Sequence, residues 1–198
     1  MTMLRVSDLK VQTLQPTSFS LEKELVCLSG PSGSGKSLLL RAIADLIVHE
    51  GEAYLNDEKC SETNPVVWRK WVGLLPAESA WWMDRVGDHF NKDDHRYLEA
   101  LNLPDASLEW EVSRCSTGEK QRLAIARLLQ LQPKVLLLDE PTASLDSDSV
   151  EKVETVIKKY SAEFNAPVIW VSHDAQQIKR IADRVFNIIN HEMQEIRL

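Results

Sequence analysis

The sequence predicts an α/β fold, a mainly parallel β-sheet covered by helices on both faces. Three observations predict it. Short apolar runs at residues 25–28 (LVCL), 135–138 (VLLL) and 168–171 (VIWV) read as strands buried on both sides. Segments with helical spacing alternate with these strands. A glycine-rich stretch at 30–37, GPSGSGKS, joins the first strand to the first helix.

Taken in order, the strand at 25–28 stops just before Gly30, and from Ser37 the run SLLLRAIADLIVHE places Leu39, Ile43 and Ile47 on one helical stripe. Residues 51–55 and 71–75 read as further strands. Residues 80–113 differ in character, with WW, HF, NKDDHR and LPDASLEW but no long strand pattern, and read as a small helical insertion. Residues 119–131 are rich in Leu, Ala, Arg and Gln and predict a helix. The strand at 135–138 ends in Asp139 and Glu140. Ser147 and Asp148 open a helix whose apolar face is Val150, Val153, Ile157 and Tyr160. After the strand at 168–171 come a helix from Asp174 and a last strand near 185–189.

Length and composition narrow the function. The 198 residues suffice for one core carrying a small insertion. A net charge of -7 exerts no general pull on nucleic-acid backbones or anionic lipid, so nucleic acid is not expected as a partner. Three cysteines without CxxC spacing indicate neither a disulfide framework nor a zinc site. The first residues, MTMLRVSDLKVQ, lack a signal-peptide apolar run, and no stretch approaches the roughly 18 apolar residues of a membrane span. These features predict a soluble cytoplasmic chain whose membrane role, if any, runs through a partner.

The chemistry begins at the glycine-rich stretch. Gly30, four residues, then Gly35, Lys36 and Ser37 match GxxxxGK[ST], a phosphate-binding loop. Its glycines let backbone N–H groups wrap phosphate oxygens, and the following helix adds its positive end. The expected nucleotide contacts are Gly30, Pro31, Ser32, Gly33, Ser34, Gly35, Lys36, Ser37 and Leu38. Lys36 is expected on the β and γ phosphates of ATP, and Ser37 on Mg2+. Such a loop needs an acidic partner at a neighbouring strand end. Asp139 is expected to hold magnesium through water, and Glu140 to act as general base. An acidic pair at a strand end is by itself often only a solvated surface feature.

The stretch CSTGEKQRLAIARLLQLQPKVLLLDEPTASLD, residues 115–146, resembles the ATP-binding cassette family, and the likeness spans nearly the whole chain. The family signature, usually LSGGQ or LSGGE followed by xQR, matches Cys115, Ser116, Thr117, Gly118 and Glu119. Ala143, Ser144, Leu145 and Asp146 match the D-loop, and His173 in SHD matches the switch histidine. The resemblance implies a P-loop NTPase (RecA-like) sheet with an N-terminal antiparallel β subdomain and a short helical subdomain, residues 1–198 forming one domain with an insertion at about 78–118. It implies an ATPase that pairs head to tail with a second copy around two ATP molecules. Each nucleotide would meet one copy's phosphate loop and the other's Ser116 and Gly118, with Asp146 nearby, His173 at the γ phosphate and Glu140 driving hydrolysis. It also implies a membrane permease as partner, and a peripheral place on the cytoplasmic face of the inner membrane.

Within the insertion, Trp81, Trp82, Val86 and Phe90 either meet the permease or fill the insertion's own core. Three positions depart from the family pattern. Ala77 stands where a glutamine is usual, so either Glu78 substitutes or coupling is weakened. Thr117 replaces a glycine of the signature. No aromatic stands near residues 9–14 to stack on adenine, and Val11 is expected to offer packing alone.

The leading expectation is the ATPase subunit of a bacterial-type transporter, with LPDASL, PKVLLLDE and VIWVSHD similar to small exporter ATPases linked to iron efflux. A soluble cassette doing conformational work on a cytosolic assembly, or a catalytically weak regulatory cassette, are the alternatives.

Overall fold

A computed structural model describes residues 2–91 and 95–196. Lys92, Asp93 and Asp94 of the polar run NKDDHR lie outside the described residues. Two sheets organise the chain. A six-stranded sheet has the order β10-β9-β3-β8-β7-β6, built from β3 (Leu25–Ser29), β6 (Val72–Leu75), β7 (Val135–Asp139), β8 (Val168–Val171), β9 (Arg184–Ile189) and β10 (Glu192–Ile196). Its strands run parallel except β10, which closes the edge as an antiparallel hairpin with β9. A four-stranded antiparallel sheet has the order β2-β1-β4-β5, from β1 (Leu4–Val11), β2 (Leu14–Leu21), β4 (Glu50–Leu55) and β5 (Glu58–Lys59).

The central strands are apolar on both sides because each side feeds a separate core. Leu25, Cys27, Leu136, Leu138, Val168 and Trp170 pack with α3 (Thr117–Leu129), α4 (Ser147–Phe164) and α5 (Ala175–Ile181). The alternate residues Val26, Leu28, Val135, Leu137, Ile169 and Val171 pack with α1 (Lys36–Ile43) and the antiparallel sheet. Period-two alternation therefore sorts one sheet between two cores. Every cysteine is buried and free.

Two helices depart from the periodicity. The stripe through Ile47 suggests a longer first helix, yet α1 ends at Ile43. Its end is set from outside: the Trp68 indole donates to the Ile43 carbonyl at 2.9 Å, and Asp45 turns left-handed at φ 55. The tryptophan belongs to α2 (Pro65–Trp71), a short helix that takes the first residue of the strand expected at 71–75. Asn64 caps α2, its side chain accepting from Val66 N–H, with Pro65 in the first turn.

Before α3, the helical subdomain takes the form of single 3₁₀ turns at 86–89, 99–101, 105–109 and 112–114. An isolated bridge between Arg85 and Glu111 pins its ends together. Val86, Leu98, Leu101 and Leu103 enter the same core as α3 and α4, with Trp81 and Phe90 packed against it. Trp82, by contrast, stays 65% exposed. Of the four residues open to either reading, three go inward and one remains outside.

Candidate functional site

The glycine-rich loop runs from the end of β3 to the start of α1. Gly30 has φ 140, and a Cβ there would lie 2.6 Å from the Ile188 carbonyl of neighbouring β9. Only glycine fits that approach. Gly35 stands at the N-cap of α1 and supplies no side-chain cap. The first N–H groups of α1 therefore keep their hydrogen-bonding capacity for an anion.

Lys36 is buried under this loop, its Nζ donating to the Gly30 carbonyl at 2.8 Å and the Pro31 carbonyl at 2.9 Å. One ammonium N–H is left to reach a phosphate oxygen. Burial pushes Lys36 below the usual lysine range, while the charges of Glu140 and Asp139 oppose the shift.

Asp139, the last residue of β7, is buried and accepts a hydrogen bond from the Ser37 hydroxyl. Desolvation raises its carboxyl above the usual aspartate range; the Ser37 bond opposes this and the Glu140 charge adds to it. Ser37 and Asp139 thus form a small set of hard oxygens. No group of three or more His, Cys, Asp or Glu gathers to hold a metal among the described residues. That donor set fits Mg2+, which keeps several waters and takes its remaining oxygens from substrate phosphates.

Glu140 follows at φ 49, an uncommon backbone state for a residue other than glycine. Its Oε1 lies 2.8 Å from Nε2 of His173, just beyond β8. With Glu140 ionised, that geometry assigns the proton to Nε2. One cavity of about 180 Å³ is lined by Ser32, Gly33, Gly35, Lys36, Ser37, Leu38, Glu140 and His173. Three segments distant in sequence meet there. The arrangement can hold a triphosphate at the loop with a carboxylate and an imidazole facing its far end.

Ser116, Gly118 and Asp146 do not line that cavity. Ser116 caps α3: its hydroxyl accepts from Glu119 N–H at 3.2 Å, while its own N–H donates to Glu119 Oε2 at 2.8 Å. The bonds that Ser116 N–H and the Ser116 hydroxyl (2.9 Å) donate to Glu119 Oε2 hold that carboxyl below the usual range. A Cβ on Gly118 would lie 3.4 Å from both Leu145 Cδ2 and the Ser144 carbonyl, so the start of α3 rests on the loop before α4. Asp146 caps α4 by accepting from Ser149 N–H and Oγ, each at 2.9 Å. Thr117, the first residue of α3, is exposed.

One expectation is corrected. Val11 is 1% exposed and packs into the core beneath the antiparallel sheet, so it has no face for a base. Gln12 and Thr13, at the turn between β1 and β2, are exposed instead, and Thr13 Oγ1 lies 3.2 Å from His191 Nδ1. Ala77 and Glu78 are both exposed just after β6. Sequence reasoning also passed over Gln177, which is buried beside the site; nothing in its local sequence marks it.

A family model described as ABC transporter matches residues 14–143. The chain is 36% identical over 200 residues to the "Probable iron export ATP-binding protein FetA" of Escherichia coli (strain K12), covering 93% of this chain and 88% of that protein. It is 35% identical over 214 residues to the "Phosphate import ATP-binding protein PstB" of Aeropyrum pernix, covering 92% and 85%. Among solved structures, a bacterial Atm1-family ABC exporter with ATP bound superposes with a TM-score of 0.84 at 21% identity. That match covers 98% of this chain and 38% of the exporter chain, and it is a likeness of fold.

Proposed function

The chain belongs to the ABC transporter family as an ATPase that uses ATP with Mg2+, and we propose that it works as a head-to-tail dimer powering a membrane permease. The observation that carries this reading is a separation. The cavity holding Lys36, Ser37, Glu140 and His173 lacks the signature residues, which face elsewhere on the same chain. A second copy can bring its Ser116 and Gly118 over the phosphates, where the start of α3 offers N–H groups to the γ phosphate.

In this reading residues 1–198 act as one ATPase unit with its insertion at about 78–118. The loop N–H groups and Lys36 hold the phosphate chain while Ser37 and Asp139 hold the metal. The chemistry that the metal would supply there, when bound, is neutralisation of negative charge on the phosphate oxygens. Glu140 accepts the proton of the attacking water, and His173 Nε2–H holds the Glu140 carboxylate in place. Asp146 keeps the loop before α4 in position under Gly118 by capping that helix. Loss of the γ phosphate removes the group that both copies grip, and the pair loosens.

No described helix is long and apolar enough to cross a membrane, so contact with the bilayer would run through the permease. The exposed side chains of Trp82 and Leu131 line a groove of about 280 Å³ together with Leu74, Ala124 and Leu128. Arg127 lines it too, stacked over the rings of Trp81 and Trp82 at 4.3 and 4.9 Å. An apolar groove of this kind beside Ala77 supports docking of a permease segment on the cytoplasmic face. The FetA relative makes iron efflux the first transport activity to assay.

The test has two parts. Light scattering of the Glu140→Gln variant with Mg-ATP should report a dimer that disperses without nucleotide; a persistent monomer argues against the shared site. Co-expression with the multi-span permease of a neighbouring gene should yield a stable complex after detergent extraction. Failure to associate would favour work on a cytosolic assembly.

A further inference from the structure

A buried amide joins the segments that flank the cavity. Gln177, on α5, is 3% exposed. Its Oε1 accepts from the Ser172 hydroxyl at 2.8 Å, and its Nε2 donates to Glu154 Oε1 at 2.9 Å and to Thr142 Oγ1 at 3.1 Å. Each partner belongs to a different element. Ser172 immediately precedes His173. Thr142 stands two residues beyond Glu140, in the loop that continues to Ser144 and Leu145 under Gly118. Glu154 lies within α4, buried and gripped by Arg180 through Nε at 2.8 Å and Nη2 at 2.7 Å.

The direction of the amide is fixed by its neighbours. Burial alone would raise the Glu154 carboxyl, but hydrogen bonds from Arg180 and Gln177 hold it below the usual range. An ionised Glu154 accepts only, so the NH2 group must face it and the carbonyl must face Ser172. No other standard side chain of this length both donates twice and accepts. Gln177 does not line the phosphate-loop cavity, yet Glu140, His173 and Gln177 together line a second cavity of about 310 Å³ that shares Glu140 and His173 with it.

We propose that Gln177 is a positioning residue for hydrolysis, holding the Glu140 and His173 segments in register and the loop before α4 against the signature helix. It rests on the assignment of Glu140 as the base. Because Gln177 lies outside the nucleotide cavity, its effect falls on kcat rather than on ATP affinity. Displacing the base or its holder by about 1 Å can cost on the order of a hundredfold in rate.

The experiment measures steady-state ATP hydrolysis and fluorescent ATP-analogue binding for four variants. Gln177→Glu sets two carboxylates face to face. It should lower kcat by about tenfold or more and leave analogue affinity within about twofold. Adding Glu154→Gln to it removes the facing carboxylates and restores the 154–177 bond with donor and acceptor exchanged, at the cost of one of the two Arg180 bonds, and should raise kcat at least about threefold above that of Gln177→Glu alone. Thr142→Val removes only the contacts of that hydroxyl with the amide, and should cost kcat severalfold in a chain of near-normal melting temperature. Gln177→Met keeps the length of the side chain without its polar atoms, and should match Gln177→Glu. The proposal is overturned if folded Gln177→Met or Thr142→Val hydrolyses at the wild-type rate, or if the exchanged pair stays as slow as Gln177→Glu. If Glu140→Gln still turned over normally, the base assignment itself would fail, an outcome separate from these.

Discussion

Nε2 of His173 lies 2.8 Å from Oε1 of Glu140, and the two residues come from the ends of adjacent parallel strands, β8 and β7. Register brings the two segments together: Asp139 sits opposite Val171, so Glu140, one residue past β7, and His173, two residues past β8, both reach the phosphate-loop cavity. Glu140 is therefore held by a neighbour whose own strand is fixed in the core. Replacing His173 with alanine removes that hold while leaving the carboxylate. A kcat lower by about a hundredfold is expected, with ATP binding kept within a fewfold, measured by stopped-flow phosphate release against equilibrium binding. Equal losses in both would place His173 in ground-state binding instead.

Lys36 supports its own loop as well as any phosphate. Its two bonds to the Gly30 and Pro31 carbonyls are made by one buried ammonium. Lys36→Ala removes the phosphate charge and strips two carbonyls of their donor. ATP affinity should fall by about a hundredfold or more, since a charge-assisted bond contributes roughly 1.5–3 kcal/mol and loop order is lost with it. Lys36→Met should behave similarly in calorimetric titration with Mg-ATP. Retained affinity in both would assign the phosphate grip to backbone N–H groups alone.

Trp82 offers a different kind of test, because it is exposed yet held over Arg127. No carboxylate pairs with Arg127 among the described residues, and Arg127 Nη2 donates only to the Ala80 carbonyl at 3.0 Å. Trp82→Ala should leave basal hydrolysis within about twofold and weaken permease association by about tenfold or more, as loss of an aromatic anchor does at other interfaces. Surface-plasmon titration against permease in nanodiscs would measure it. Unchanged association would remove this groove from the contact.

How far the sequence could be read depended on how local each determinant is. The strands at 25–28, 135–138 and 168–171 were legible because residues buried on both faces leave no polar alternation. The phosphate loop was legible because its glycines, lysine and serine fall within eight residues, Gly30 to Ser37. The end of α1 was not, since the indole of Trp68 and the turn at Asp45 stop it from outside its own periodicity. The helix α2 did carry a signal, Asn64 followed by Pro65, that the apolar reading of Trp71 obscured. Val11 illustrates another limit: strand alternation decides whether a residue faces core or solvent, and a bulge in β1 near Leu9 shifts that alternation. The bonds of Gln177 join the segments that follow β7 and β8 to α4 and α5, so no window of sequence contains them.

Asp139 carries a stability cost that magnesium should relieve. Burial raises its carboxyl in the folded chain above the value it has unfolded. A raised folded pKa means that the native state binds the proton more readily. Its stabilising contribution is thus complete below the unfolded pKa and is lost as pH rises through the folded value. At neutral pH the ionised Asp139 destabilises the chain unless a cation balances it. Asp139→Asn should therefore raise the melting temperature of nucleotide-free protein at pH 7.5, where about 1 kcal/mol corresponds to roughly 2–4 °C for a chain of this size. The same variant should lose the further rise that Mg-ATP gives the wild type, together with magnesium-dependent turnover. Differential scanning calorimetry at pH 7.5 and pH 4 separates the effects, because the advantage of Asp139→Asn over the wild type should shrink at the lower pH. A variant less stable than the wild type at pH 7.5 would mean that the Ser37 bond outweighs desolvation at this carboxylate.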